Sequence, residues 1–500
     1  MTLLSITYGI FLFSVLGIYW IREERSLRLG ILLAASLVFY GSLQIYYVPL
    51  LVLISLITYV MGLAIGAPAP SENSDAAIEW QFAQQDWNQR RLRLLWISII
   101  LNIIMLLVFK YVPFLLTTTG ELTGNAQATV GADWVAQNLI APLGLSYFVF
   151  ECMAYLIDVY RGEPASSNLL QFCTYKLFFP KLLSGPITRF HYLGSQFQAL
   201  RSPRLDQVID GLWLIACGAV KKLLLADHLA TYVNLSFDNI ERAGSGDVWL
   251  ATFAYGLQLY LDFSGYVDVA RGSATLLGFN LPDNFNFPYL TTNIADFWRR
   301  WHMTLGDWLR NYLYFPLGGS RKGLWRTCIN LVIVMLIAGL WHNPGWGFII
   351  WGGIHGLALA VHRLVDHASK RSPRLQTWWR SFLGTAVAWI ITQLTVFFSW
   401  IFFRLPNPFE FTLAMQRLFG RTADVQFTQR IYVETLSLTR GELLWLLIGI
   451  VLVMAMLYAI QRGLKLQLNW PLKIGLVPIF LYLSWLLAPT DRLPYIYFDF

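Results

Sequence analysis

Residues 330–356 read NLVIVMLIAGLWHNPGWGFIIWGGIHG. The first half is uncharged, apolar almost throughout, and ends on His342. Asn343, Pro344 and Gly345 then force a turn. A second apolar run follows and holds His355. The apolar residues are continuous rather than alternating, which predicts helices at 327–341 and 346–363, not barrel strands. A membrane-spanning helix needs about 20 such residues, because no water satisfies a bare backbone in lipid. An ionisable group at that depth costs roughly 3 kcal/mol if charged, so His342 and His355 are candidates for function.

The rest of the chain agrees. Hydrophobic residues make up 56% of the 500 and charged residues 13%, against about 25% charged in soluble domains. Mean hydropathy is +0.51. These values indicate an all-α polytopic membrane protein. Further spans are expected at 3–20, 28–45, 47–66, 94–117, 137–157, 208–226, 248–264, 382–403, 441–461 and 473–488. The net charge of +8 sits in lysines and arginines between spans, the positive-inside bias, and does not indicate nucleic acid. The first apolar run lacks the basic start and small-residue cleavage site of a signal peptide. Arg22, Arg25 and Arg28 follow it, which places the N-terminus outside. Arg90, Arg91 and Arg93 put the loop 67–93 inside. The loop 118–136 has Glu121 and Asp133 but no lysine or arginine, and is read as outside.

Two segments break the pattern. FCTYKLFFPKLLSGPITRF (172–190) is apolar but interrupted by Lys176, Pro180, Lys181, Gly185 and Pro186. It reads as two half-helices dipping into the protein beside a wet cavity. FWRRWHMTLGDWLRNYLYFPLGG (297–319) reads over 297–314 as one amphipathic interfacial helix. Trp298, Trp301, Leu305, Trp308, Leu309 and Tyr312 share a face. Arg299, Arg300, Asp307 and Arg310 lie opposite, and His302 sits at the aromatic edge.

The four cysteines are scattered, and the histidines lack metal-ligand spacing, so neither disulfides nor a metal are expected. His362 and His367 read as solvated. An imidazole in a dry site suits proton transfer, for instance from an acceptor hydroxyl as it attacks an acyl carbonyl. No Gly-x-Ser-x-Gly elbow occurs, so direct transfer is simpler than a serine acyl-enzyme. Asp262, Asp268 and Asn286 precede the interfacial segment. They could orient a histidine or serve as caps and loop hydrogen bonds.

LQLYLDFSGYVDVARGSATLLGFNLPDNFNFPY (257–289), the WRRWH stretch, AGLWHNPGWGFIIWGGIHGL, GLSYFVFECMAYLIDVYRG (144–162), KLLSGPITRF (181–190) and PYIYFDF at the C-terminus occur in the order seen in one family. Together they resemble the membrane-bound O-acyltransferase (MBOAT) family, in its alginate O-acetyltransferase-like, polysaccharide-acetylating branch. The resemblance implies a single acyltransferase domain over 1–500. N-terminal helices would cover 1–135, the catalytic core 136–370 and C-terminal helices 371–500. It implies a ring of about 11–13 membrane helices, with re-entrant and interfacial helices, around a thin central wall between two funnels. His342 (GLWH) matches the family's catalytic histidine and His302 (WRRWH) its second. Arg299, Arg300, Arg310, Asn286, Asp268 and His355 become candidates for donor or substrate contact.

No tightly bound cofactor is implied. The donor would be acetyl-CoA or another acyl thioester. The expected partners are an extracytoplasmic SGNH-hydrolase-like acetyltransferase and polysaccharide export machinery, at a bacterial inner membrane. The sequence departs from the family's usual residues at Asn343, Arg271 and Asn311. Rival readings are D-alanyl transfer to teichoic acid, a transporter with a histidine proton relay, and an inactive scaffold.

Overall fold

The computed structural model describes residues 3–67, 77–199, 202–466, 468–490 and 493–498. Among them every regular element is helical. Local chemistry sets many of the starts. The Ser5 hydroxyl caps Ile6–Ile21, and the Asn293 amide oxygen caps Ile294–Arg300. Thr439 and Glu442 form a reciprocal capping box before Arg440–Tyr458.

Among the described residues, six helical stretches are long and apolar enough to cross a membrane: Arg25–Ile65, Gln84–Thr123, Leu324–His342, Trp346–Ser369, Phe382–Arg404 and Arg440–Gly463. The first is two helices joined by a short 3-10 turn at Ile45–Tyr47. Ile6–Ile21 and Trp470–Leu486 are shorter apolar helices. Large apolar side chains such as Val38, Trp445 and Leu452 are exposed, as lipid-facing residues are and water-facing ones rarely are over such areas.

The expected spans at 137–157, 208–226 and 248–264 differ from these. Their helices carry Glu151, Lys221, Lys222, Asp227, Asp262 and Asp268, paired inside the protein, so hydropathy alone does not describe them. The expected loop 118–136 is helical, as Val112–Thr123 and Ala126–Asn138, turned by Gly124 at φ +66°.

The described chain forms two compact units. One comprises 1–211 with 270–282, the other 212–269 with 283–500. In the first, the broken segment 172–190 is a helix, Leu169–Leu177, then buried irregular chain, then Phe190–Gln196. Protein groups meet its buried polar atoms. Glu151 accepts from Lys181 Nζ at 2.6 Å and from the Thr188 N–H at 3.0 Å. Lys176 Nζ donates to the Phe148 carbonyl at 2.9 Å, and Tyr175 Oη to the Thr188 carbonyl at 2.8 Å. Buried backbone without helix is tolerated only when paired in this way. A Cβ at Gly185 would meet Lys181 Cα at 2.4 Å, so the turn requires glycine.

In the second unit, Leu324–His342 and Trp346–Ser369 pack as a hairpin. Glycines let the backbones meet. A Cβ at Gly339 would lie 2.2 Å from the Phe348 carbonyl oxygen, and one at Gly352 2.4 Å from that of Met335. This close pairing delivers His342, the last residue of the first helix, into the aromatic core.

Candidate active site

The stretch 297–314 is not one helix. Ile294–Arg300 ends, Trp301 and His302 form a bend, and Met303–Leu309 begins again. His302 stands at φ +44°, a left-handed conformation uncommon outside glycine. Asn284 explains the break. Its backbone carbonyl accepts from Met303 N–H at 3.0 Å, and its Oδ1 from Thr304 N–H at 3.0 Å and Thr304 Oγ1 at 2.9 Å. The first two N–H groups of the new helix are thus met by one asparagine. The bend takes His302 from the edge of an amphipathic face into full burial, 0% exposed.

Nδ1 of His302 lies 3.3 Å from Asn284 Oδ1. Thr304 identifies that atom as the amide oxygen, which only accepts. Nδ1 therefore carries the proton and Nε2 the lone pair. The ring lies outside the six candidate spans. Burial pushes its pKa down from 6.5 to about 3, so it is neutral at working pH. The Asn284 Nδ2 group is buried and has no hydrogen-bond partner among the described residues.

His342, 2% exposed, is packed by Trp351 at 5.2 Å and Phe403 at 5.1 Å between ring centroids. The two histidines share two neighbours. Trp341 lies 6.2 Å from His302 and 5.0 Å from His342, and Tyr497 lies 6.1 Å and 5.9 Å away. Tyr497 itself stacks on Phe263 at 3.8 Å. The C-terminal segment therefore enters this site.

Among the other candidates, His355 borders the site, sharing Trp351 with His342 at 4.9 Å and 5.2 Å between ring centroids, and Arg300, Arg310 and Asp268 are held by other partners. His355 is fully buried, and both ring nitrogens are engaged. Trp298 Nε1 donates to Nδ1 at 3.3 Å, and Nε2 is 2.9 Å from Ser399 Oγ, whose proton goes to the Val396 carbonyl. Arg300 pairs with Asp296 at 2.9 Å, and Arg310 with Asp307 on its own helix. Arg299 is exposed. Asn286 Oδ1 accepts from Arg462 at 3.2 Å. Asp268 pairs with Lys221 at 2.6 Å and Asp262 with Lys222 at 2.6 Å, so the partner of His302 is Asn284 rather than either carboxylate. Sequence reading weighed Asn286 and passed over Asn284, two residues earlier in the same DNFNF motif. It also gave Tyr497 no role, although its motif PYIYFDF was noted. Among the described residues, no three histidine, cysteine or acidic side chains gather as a metal site.

Comparison with known proteins gives the family. Residues 82–401 match the model of the membrane-bound O-acyltransferase family. The chain is 39% identical over 386 residues to a probable alginate O-acetylase AlgI of Azotobacter vinelandii, covering 76% of this chain and 72% of that one. It is 34% identical over 403 residues to a peptidoglycan O-acetyltransferase of Helicobacter pylori, covering 75% and 71%. A teichoic acid D-alanyltransferase of Bacillus subtilis is 28% identical over 247 residues, covering 47% and 62%. The matched span contains His302, His342, Asn284 and the glycine hairpin, and the chain is a multi-pass membrane enzyme, an O-acyltransferase belonging to the MBOAT family.

Proposed function

We propose that this enzyme transfers acetyl groups from an acyl thioester, with acetyl-CoA the first candidate, for O-acetylation of an exported bacterial polysaccharide. The observation that carries the reading is the pair of buried histidines sharing Trp341 and Tyr497. The acetylating relatives supply the substrate class. His342 acts as general base. It takes the proton of an acceptor hydroxyl as that oxygen bonds to the acyl carbon. The carbon–sulfur bond then breaks, and the leaving thiolate recovers the proton from His342. His302, with its lone pair on Nε2, orients a reactant by accepting a hydrogen bond from a second donor, such as a neighbouring hydroxyl of the acceptor. Asn284 Nδ2 is a buried donor for a reactant oxygen.

In this reading Arg299 and Arg310, on the exposed side of their helices, attract an anionic donor. The acceptor is a sugar hydroxyl or a carrier on an SGNH-hydrolase-like partner, working with polysaccharide export machinery. The enzyme sits in the inner membrane with its N-terminus outside.

The test is acetyl ester content of the exported polysaccharide, comparing His342→Ala with wild type at equal membrane abundance. Loss of ester supports the reading, and unchanged ester overturns it. Measuring D-alanyl ester in the same samples separates the teichoic acid alternative.

A further inference from the structure

Three charged side chains are buried together near the second half of the helix Ser245–Leu276. Lys222 Nζ lies 2.6 Å from Asp262 Oδ1 and 2.8 Å from Asp227 Oδ1, and all three residues are buried. Desolvating such ions costs several kcal/mol each, and a packed apolar trio would often serve stability equally well. A reason for keeping the charges lies in what else they bind.

Lys222 and Asp262 each make a further hydrogen bond, and both go to one segment. Asp262 Oδ2 accepts from the Ile496 N–H at 3.0 Å. Lys222 Nζ donates to the Pro494 carbonyl at 3.0 Å and lies 4.7 Å from the centre of the Tyr495 ring. Tyr266 packs edge-on against the same ring at 5.1 Å. The cluster thus grips main chain, with one donor and one acceptor two residues apart, and so fixes register whatever the side chains. Consecutive residues of one helix then divide the work. Asp262 holds the backbone at 496, and Phe263 stacks the ring at 497.

We propose that Lys222 and Asp262 are positioning residues. They clamp 494–496 and thereby set Tyr497 as the shared wall of His302 and His342. The proposal rests on the histidine-dependent transfer described above. The two histidines come from separate elements, and Tyr497 is a side chain that touches both. A slip of the clamped segment therefore misplaces both at once.

The test uses the full-length chain with a C-terminal epitope in native membranes. Asp262→Leu removes the acceptor. Ile496→Pro removes the donor and leaves the Lys222–Asp262 pair in place, and proline suits the first position of the short 3-10 turn at Ile496–Phe498. Each single variant is expected to lower acetyl transfer roughly 100-fold at equal abundance, the scale of a small misplacement. Each is also expected to release the epitope to protease faster than wild type while the rest of the chain stays intact. The double variant should fall no further than Asp262→Leu alone, since the contact that Ile496→Pro breaks is already lost there. Asp262→Asn, whose amide oxygen still accepts, should restore epitope protection.

Losses that multiply in the double variant, or wild-type epitope protection in both single variants, would overturn the clamp. If His342→Ala keeps full acetylation, the transfer reading fails, and the epitope measurement still decides the clamp.

Discussion

Asn284 holds His302 through its side-chain oxygen, 3.3 Å from Nδ1, while the same oxygen takes two hydrogen bonds from Thr304. One acceptor thereby sets a helix start, a left-handed backbone and a tautomer. Asn284→Asp keeps the shape and adds a negative charge beside the Nδ1–H. An opposite charge favours the protonated ring, so the pKa of His302 rises. Loss of the Nδ2 donor lowers activity at every pH, and in addition the acid limb of the pH–rate profile is expected to move toward neutrality, so that the deficit is larger near pH 6 than at about pH 8. A profile unchanged from wild type would break the link between these two residues. Asn284→Ala instead leaves the Thr304 N–H unmet and costs about 1–3 kcal/mol of stability.

Acid stability follows from the same ring. The folded pKa of His302, about 3, lies below its ordinary 6.5. Between those values the unfolded chain binds a proton that the folded chain does not. Stability is therefore full above pH 6.5 and falls as pH drops through the window. Thermal melts in detergent are expected to show Tm falling from pH 7 to pH 4. His302→Gln, which cannot titrate, should flatten part of that slope. An unchanged slope would mean that other groups carry it.

The membrane class and the two histidines were legible in the sequence, because apolar runs and short histidine motifs are local signals. The break at His302 was not. The 3.6-residue periodicity of 297–314 runs straight through it, and the cause, Asn284, lies outside that segment and acts through tertiary hydrogen bonds. The same limit applies to 137–157, 208–226 and 248–264. Their charges are neutralised by partners distant in sequence, such as Lys181 for Glu151 and Lys222 for Asp262, which no window average sees. Tyr497 was hidden for the opposite reason. Its motif is plain, but nothing local says that a C-terminal segment reaches the two histidines.

The glycines around His342 allow a paired test. Gly352→Ala drives a Cβ to 2.4 Å from the Met335 carbonyl oxygen, a backbone atom that cannot step aside. The neighbouring Gly353→Ala meets only Leu336 Cδ2 at 3.8 Å. Gly352→Ala is expected to push the hairpin apart, lowering Tm and acetyl transfer together. Gly353→Ala should leave both near wild type, or raise Tm slightly, since alanine favours the helix by up to about 1 kcal/mol. Equal behaviour of the two variants would contradict the packing.

Glu151 supplies the strongest prediction for the first unit. It is the acceptor for two buried lysines, with Lys181 at 2.6 Å and Lys176 at 3.4 Å. It also receives the N–H and the hydroxyl of Thr188, which close the irregular chain after Gly185. Glu151→Ala would leave two cations and a backbone donor facing an apolar interior. Removing one partner of a buried pair costs roughly 3–5 kcal/mol, so membrane abundance and Tm should both collapse. Lys181→Met removes a cation instead and leaves Glu151 paired with Lys176 and Thr188, so its loss should be smaller. The double variant Glu151→Leu/Lys181→Met removes the closest pair and should recover part of the Glu151→Ala deficit. If Glu151→Ala melts like wild type, the carboxylate is not what holds the broken segment. If Lys181→Met is the worse of the two, the charge balance runs opposite to this account.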